Sequence, residues 1–182
     1  MAAISYMILA LFLLSFKKDK VLYKVKSGKI IFTSTAPLES IKATADELTG
    51  YIDVMNRNFT FSVKNKSFKG FNSPLQQEHF NENYMESDKF PISSFTGKII
   101  ENVNLAVDGS YDIRAKGTLE VHGIKQERII HGNIIIKNQQ ANVTSDFSIQ
   151  LQDHNITVPR IVNQKINQEI KVNVQITMAK SE

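Results

Sequence analysis

Ile170-Lys171-Val172-Asn173-Val174-Gln175-Ile176-Thr177-Met178 puts an apolar residue at every even position and a polar one at every odd position. Successive side chains of an extended chain point to opposite sides, so this stretch offers one face to an apolar interior and one to water. Strands of that kind belong to antiparallel sheets wetted on one side, because strands buried on both faces read as unbroken apolar runs. The same pattern recurs upstream. Residues 143–151 (VTSDFSIQL) carry it on odd positions with Ser145 as the one break, and residues 59–64 (FTFSVK) and 111–122 (YDIRAKGTLEVH) repeat it.

Working outward, strand-like runs fall near 21–27, 29–35, 49–55, 57–64, 95–107, 111–121, 126–137 with 142–151, and 168–179. Asp108-Gly109 predicts a tight hairpin. Gly123 and Gly132 predict strand ends, and Gly50 and Gly97 predict bends within strands. About eight antiparallel strands with one apolar face close most naturally into a barrel, since closure removes the unpaired edges. The fold expected is all-β, a single antiparallel barrel.

Residues 73–84 (SPLQQEHFNENY) break the rhythm. Ser73 suits an N-cap, Pro74 the first helical position, and Gln76 completes a capping box, predicting a short helix over about 74–85. Leu75 and His79 share one helical face, as do Phe80 and Tyr84. Pro91 holds Phe90 extended and closes this excursion, which is expected to lie near a barrel mouth.

The chain of 182 residues has the length of one domain, with 42% apolar and 22% charged residues, as in ordinary globular proteins. It has no cysteine, which excludes disulfides, thiolate metal sites and a cysteine nucleophile. The net charge of +4 is spread among strand-like segments, and no nucleic-acid partner is expected. Residues 7–16 (MILALFLLSF) extend an uncharged start, followed by Lys17, Lys18 and Lys20. A membrane span needs about 20 apolar residues, so this run has the size of a signal-peptide core. No Lys or Arg precedes it and no small-x-small site follows, so an uncleaved anchor is the alternative. Residues 1–20 are set apart from a domain at 21–182, and an exported protein, periplasmic or secreted, is expected.

Chemical motifs are sparse. The four histidines have no metal-binding spacing, and His122 and His131, nine apart, lack a third ligand. No nucleophile elbow or phosphate loop occurs. Glu78 and Glu82 share a helix face and read as solvated carboxylates. No catalytic residue, metal or cofactor is expected. Asn58, Asn65, Asn142 and Asn155 open Asn-x-Ser/Thr triplets, which matter only in a eukaryotic secretory pathway. Eleven Phe and five Tyr stand without Trp, with Phe68, Phe71, Phe80, Tyr84, Phe90 and Phe95 around the helix. They read either as core filler or as the wall of a hollow, since a barrel of this size is either filled or holds one ligand.

Residues 78–95 (EHFNENYMESDKFPISSF) resemble the YceI-like family's helical His-aromatic step, acidic segment, Lys-aromatic-Pro and strand ending in Phe. Asp108-Gly109, Tyr111 and residues 117–125 (GTLEVHGIK) are similar to its hairpin and its Leu-x-x-His-Gly strand end. With the closing strand, the resemblance covers roughly residues 50–180. Two departures occur: Lys26 stands where the family's opening His-Ser pair has His, and a Gly-rich region is shortened into residues 150–165. The first bears on any ligand contact of that His and the second on the shape of one mouth.

The resemblance implies a lipocalin-like barrel that binds a long apolar lipid, of the polyisoprenoid or isoprenoid quinone type, without catalysis. Under it the lumen-lining residues are Phe59, Phe61, Val63, Leu119, Val121, Phe147, Ile149 and Leu151, with Phe71, Phe80 and Tyr84 from the helical region. His79 and Lys89 would meet a polar headgroup. The partner implied is an isoprenoid or other long-chain lipid, with a homodimer compatible. A filled barrel serving as a structural or protein-interaction module in the cell envelope is the alternative.

Overall fold

The computed structural model describes residues 21–181. The apolar run at 7–16, with the export reading built on it, lies outside the described residues. Nine strands follow one another: β1 (Leu22–Thr35), β2 (Ser40–Ala45), β3 (Leu48–Asp53), β4 (Asn58–Lys64), β5 (Ile92–Ile99), β6 (Gly109–Val121), β7 (Ile124–Lys137), β8 (Gln140–Gln150) and β9 (Glu169–Ser181). All neighbours pair antiparallel, and β1 also pairs with β9 from Leu22–Ser181 to Thr33–Lys171, closing the sheet on itself. β2 and β3 run end to end beside β1, against Ile30–Thr35 and Leu22–Lys24 respectively, so nine strands make eight staves.

The strand expectations need five corrections. Leu22–Thr35 forms one strand, with a bulge between Val25 and Ser27 that falls on exposed Lys26. β2 was not foreseen. The pair 126–137 and 142–151 is two full staves, joined by Asn138-Gln139, both at positive φ, which matches the twist of a two-residue hairpin. Asp108-Gly109 is not a tight hairpin, because β5 ends at Ile99 and residues 100–108 form a longer loop. Glu101 ties this loop to the strand that follows it: its carboxylate accepts from the Arg114 backbone N at 2.6 Å and from Arg114 Nε at 2.7 Å. Those two bonds hold the Glu101 carboxyl at a pKa of about 2. Gly132, expected at a strand end, lies inside β7.

Curvature has a local cause at Gly97, which lies opposite Gly117. A Cβ on Gly97 would stand 2.1 Å from the Lys116 carbonyl oxygen, so the two strands meet at a distance only glycine permits. His122-Gly123, both at positive φ, form the β6–β7 hairpin.

The excursion between β4 and β5 holds α1 (Pro74–His79), continued by a π-helical turn over Phe80–Tyr84. Ser73 Oγ accepts from Gln76 N at 3.2 Å, as the capping pattern predicts. The reciprocal bond is shifted by one residue: Gln76 Oε1 accepts from Asn72 N at 3.1 Å. Fully buried Asn65 ties the excursion shut, donating from Nδ2 to the Phe90 carbonyl at 2.6 Å and accepting from Ser93 Oγ at 2.8 Å.

The two barrel ends differ. At one end lie the turn at 54–57, the loop at 100–108 and the Asn138-Gln139 hairpin. There Tyr23, Val54, Leu105, Ile136, Ala141 and Met178 are buried and plug the barrel. At the other end lie the helical excursion, the turn at 36–39 and the segment 151–168. That segment crosses the rim in two 3-10 turns, Leu151–His154 and Arg160–Val162.

Candidate functional site

Above the plug, the inward faces of the staves enclose a cavity of about 490 Å³. Its size falls in the range of sites that hold one small or chain-like ligand. Alternation builds the wall: every second residue of a strand faces in, and most of those residues are Val, Ile, Leu and Phe. Phe59, Phe61 and Val63 come from β4, Leu119 and Val121 from β6, and Phe147 and Ile149 from β8, with Leu151 at the following turn. Phe71, Phe80 and Tyr84 border the cavity from the excursion. All eleven side chains named from the sequence thus face one space.

The excursion docks through aromatic rings. Phe80 stacks on Phe32 of β1 at 5.4 Å between centroids and packs edgewise on Phe68 at 5.6 Å and obliquely on Phe71 at 5.1 Å. Offset and edge contacts of this kind stabilise beyond area burial. Backbone bonds pairing Thr44 with Lys69 hold the excursion against β2, and within the excursion Gln77 Nε2 donates to the Phe68 carbonyl at 3.2 Å. Burial pushes the Tyr84 phenol upward in pKa.

Polar groups gather at the open rim. Glu39, Gln76, His79 and Lys165 border the cavity there. Glu39 Oε1 accepts from Asn72 Nδ2 at 3.0 Å and from Gln76 Nε2 at 2.5 Å. Those bonds, Asn72's first, keep its carboxyl below the usual carboxylate range. His79 is therefore at the mouth. Lys89 is not: its ammonium lies 3.7 Å from Glu86 and 4.8 Å over the Phe90 ring, outside the cavity wall. Lys26 does not border the cavity either.

A second polar group closes the rim on the far side. His122 Nε2 stands 2.7 Å from Glu86 Oε2, and its Nδ1 stands 2.9 Å from the His154 carbonyl oxygen. The ring also packs edgewise on Phe90 at 4.7 Å. His131 lies apart from it, on the outside of β7. Glu78 and Glu82 are exposed, and no group of three metal-binding side chains exists among the described residues.

Several wall residues were not named from the sequence. Ile30 and Phe32 of β1, Leu48 and Ile52 of β3, Ile113, Ala115 and Ile134 all line the cavity, as do Ile170, Val172, Val174 and Ile176 of β9. The alternating stretch 170–178 already contained the last four. The mouth residues Glu39 and Lys165 carry no pattern of their own and come together only through tertiary contacts.

No curated protein sequence matches this chain. Solved structures with the same fold include a polyisoprenoid-binding domain from Saccharophagus degradans implicated in plant cell wall breakdown, with TM-score 0.75 and 14% identity, covering 87% of this chain and 98% of that one. BcnA from Burkholderia cenocepacia follows with TM-score 0.69 and 9% identity, covering 82% and 95%. A YceI protein of Campylobacter jejuni gives TM-score 0.59 and 15% identity, covering 74% and 81%. The family description of the YceI-like domain matches residues 23–178, nearly the whole described barrel, and the chain belongs to that family.

Proposed function

We propose that the lumen binds one long apolar lipid, of the polyisoprenoid or isoprenoid quinone type, for carriage, storage or sequestration and without catalysis. The observation that carries this reading is a cavity of about 490 Å³ walled mainly by aliphatic and phenyl side chains, plugged at one end and with charged groups at the other. A chain withdrawn from water into such a space gains roughly 25 cal/mol per Å² with no directional bonds. Its polar end would rest among Glu39, Gln76, His79 and Lys165, a set that replaces the pair His79 and Lys89. The similarity to a solved polyisoprenoid-binding domain supports the ligand class. The filled-barrel alternative fits only the plugged end. Export to the periplasm or beyond belongs to the same reading and rests on residues 7–16.

The test is native mass spectrometry of the purified protein, followed by organic extraction. An adduct that extracts as an isoprenoid or another long-chain lipid supports the reading. Protein that carries no lipid and takes up none from mixed micelles overturns it.

A further inference from the structure

Two breaks in the apolar alternation sit side by side. Inward positions of β7 run Ile130, Gly132, Ile134, Ile136, and those of β8 run Val143, Ser145, Phe147, Ile149. A wall meant only to seal would carry branched residues at both breaks. Instead, a Cβ built on Gly132 would lie 3.6 Å from Ser145 Cβ, so the two small residues are neighbours across one seam.

The backbone opens at the same place. β6–β7 and β8–β9 are bonded along their lengths, but β7 and β8 pair only from Asn133–Thr144 to Lys137–Gln140. Beyond that point the strands part. The top of the split is covered by the turn after β8, where Gln126 Nε2 donates to the Asp153 carbonyl at 2.8 Å and Ile156 is buried. The middle is held by side chains in place of a ladder. Arg128 Nη2 donates to the Ser148 carbonyl at 2.8 Å, and Ser145 Oγ to the His131 carbonyl at 2.6 Å. At this height the wall is thin. Ile113, His131, Gly132 and Ser145 border both the lumen and an outer pocket whose other walls include Asp112, Arg114, Asn133 and Asp146.

We propose that this seam is a second, lateral mouth of the lumen. It would take an amphiphile with its apolar chain among the lumen side chains and its hydrogen-bonding end in the outer pocket. The inference rests on the lipid-binding reading above. A backbone ladder would have to break several bonds to pass a chain, whereas the middle of this seam is held by two side-chain bonds.

The chain has no cysteine, and the Gly132–Ser145 separation suits a disulfide, whose Cβ atoms lie roughly 3.5–4.5 Å apart. The test uses the Gly132→Cys/Ser145→Cys variant in oxidised and reduced form, with N-phenyl-1-naphthylamine as the probe and stopped-flow fluorescence as the readout. Oxidation is expected to slow dye exchange severalfold, and the Arg128→Ala variant, which removes one strut, to speed it severalfold. Equal rates in both redox forms, or an Arg128→Ala variant that exchanges dye like the unsubstituted protein, overturns the lateral mouth while leaving lumen binding intact. Should the double variant fail to fold, Arg128→Ala decides alone. Dye that binds none of the forms overturns both readings.

Discussion

Glu86 and His122 are held 2.7 Å apart, carboxylate oxygen to imidazole Nε2, while Nδ1 of the same ring faces the His154 carbonyl at 2.9 Å. The two ring nitrogens thus face two oxygens on opposite sides of one imidazole. One side chain thereby joins three parts of the rim: the end of the excursion, the β6–β7 hairpin and the turn after β8.

The hydrogen bond from His122, with Lys89 adding to it, holds the Glu86 carboxyl below its ordinary pKa. A carboxyl depressed in the folded state stabilises it above the unfolded pKa and loses that contribution as pH falls through the folded value. Glu86→Gln is expected to speed amide exchange in residues 86–90 and 151–155 at neutral pH. Below the carboxylate range the variant and the unsubstituted protein should exchange alike. Hydrogen exchange followed by mass spectrometry checks both halves.

His154 is only 1% exposed, its Nδ1 lies 3.3 Å from the Ile124 carbonyl, and its Nε2 has no partner. Burial lowers its pKa from the ordinary histidine value. The unfolded chain then takes up a proton before the folded one does. This contribution is present above about pH 6.5 and is lost as pH falls below it. A thermal melt series across that window should show a declining Tm. His154→Gln should flatten the decline; an unchanged slope would mean that another group governs it.

Ala115 is buried on the lumen wall, where its small side chain leaves room for the cavity. Ala115→Phe is expected to fill that room, keeping the barrel folded while reducing co-purified lipid. Circular dichroism and lipid extraction, run in parallel, separate a filled lumen from a misfolded one. Overpacking of this sort costs about 1–3 kcal/mol where no space exists, and less where a cavity receives the ring.

Leu105, 1% exposed, belongs to the plug and not to the cavity wall. Leu105→Ala should destabilise the protein by about 2–5 kcal/mol in urea titration, the usual cost of truncating a buried leucine. Lipid content should be unaffected. Loss of lipid with unchanged stability would place Leu105 in the binding space instead.

Alternation in residues 170–178, 143–151, 111–122 and 59–64 was enough to predict an antiparallel barrel, and the family resemblance added the eleven side chains expected to line its lumen. Period-two patterning reports a side chain's face directly, because pleating is local. The helix at 74–84 was equally legible, since Ser73, Pro74 and Gln76 act within one turn. The same local rules failed where long-range contacts decided. Asp108-Gly109 reads as a hairpin by itself, but Glu101 binding Arg114 commits residues 100–108 to a loop. Lys89 reads as a mouth residue, but Glu86 and the Phe90 ring hold it elsewhere.

Three features exist only in the folded molecule. Whether inward side chains meet or leave a space depends on the stave number and on how the ends are closed, and no strand records either. Glu39, Gln76, His79 and Lys165 form a rim only because the 36–39 turn, the excursion and the 151–168 segment converge there. Gly132 and Ser145 are lone irregularities in two separate strands until pairing sets them 3.6 Å apart by Cβ position, and the seam follows from their adjacency. Pattern determines which face a residue takes; closure and register determine what that face meets.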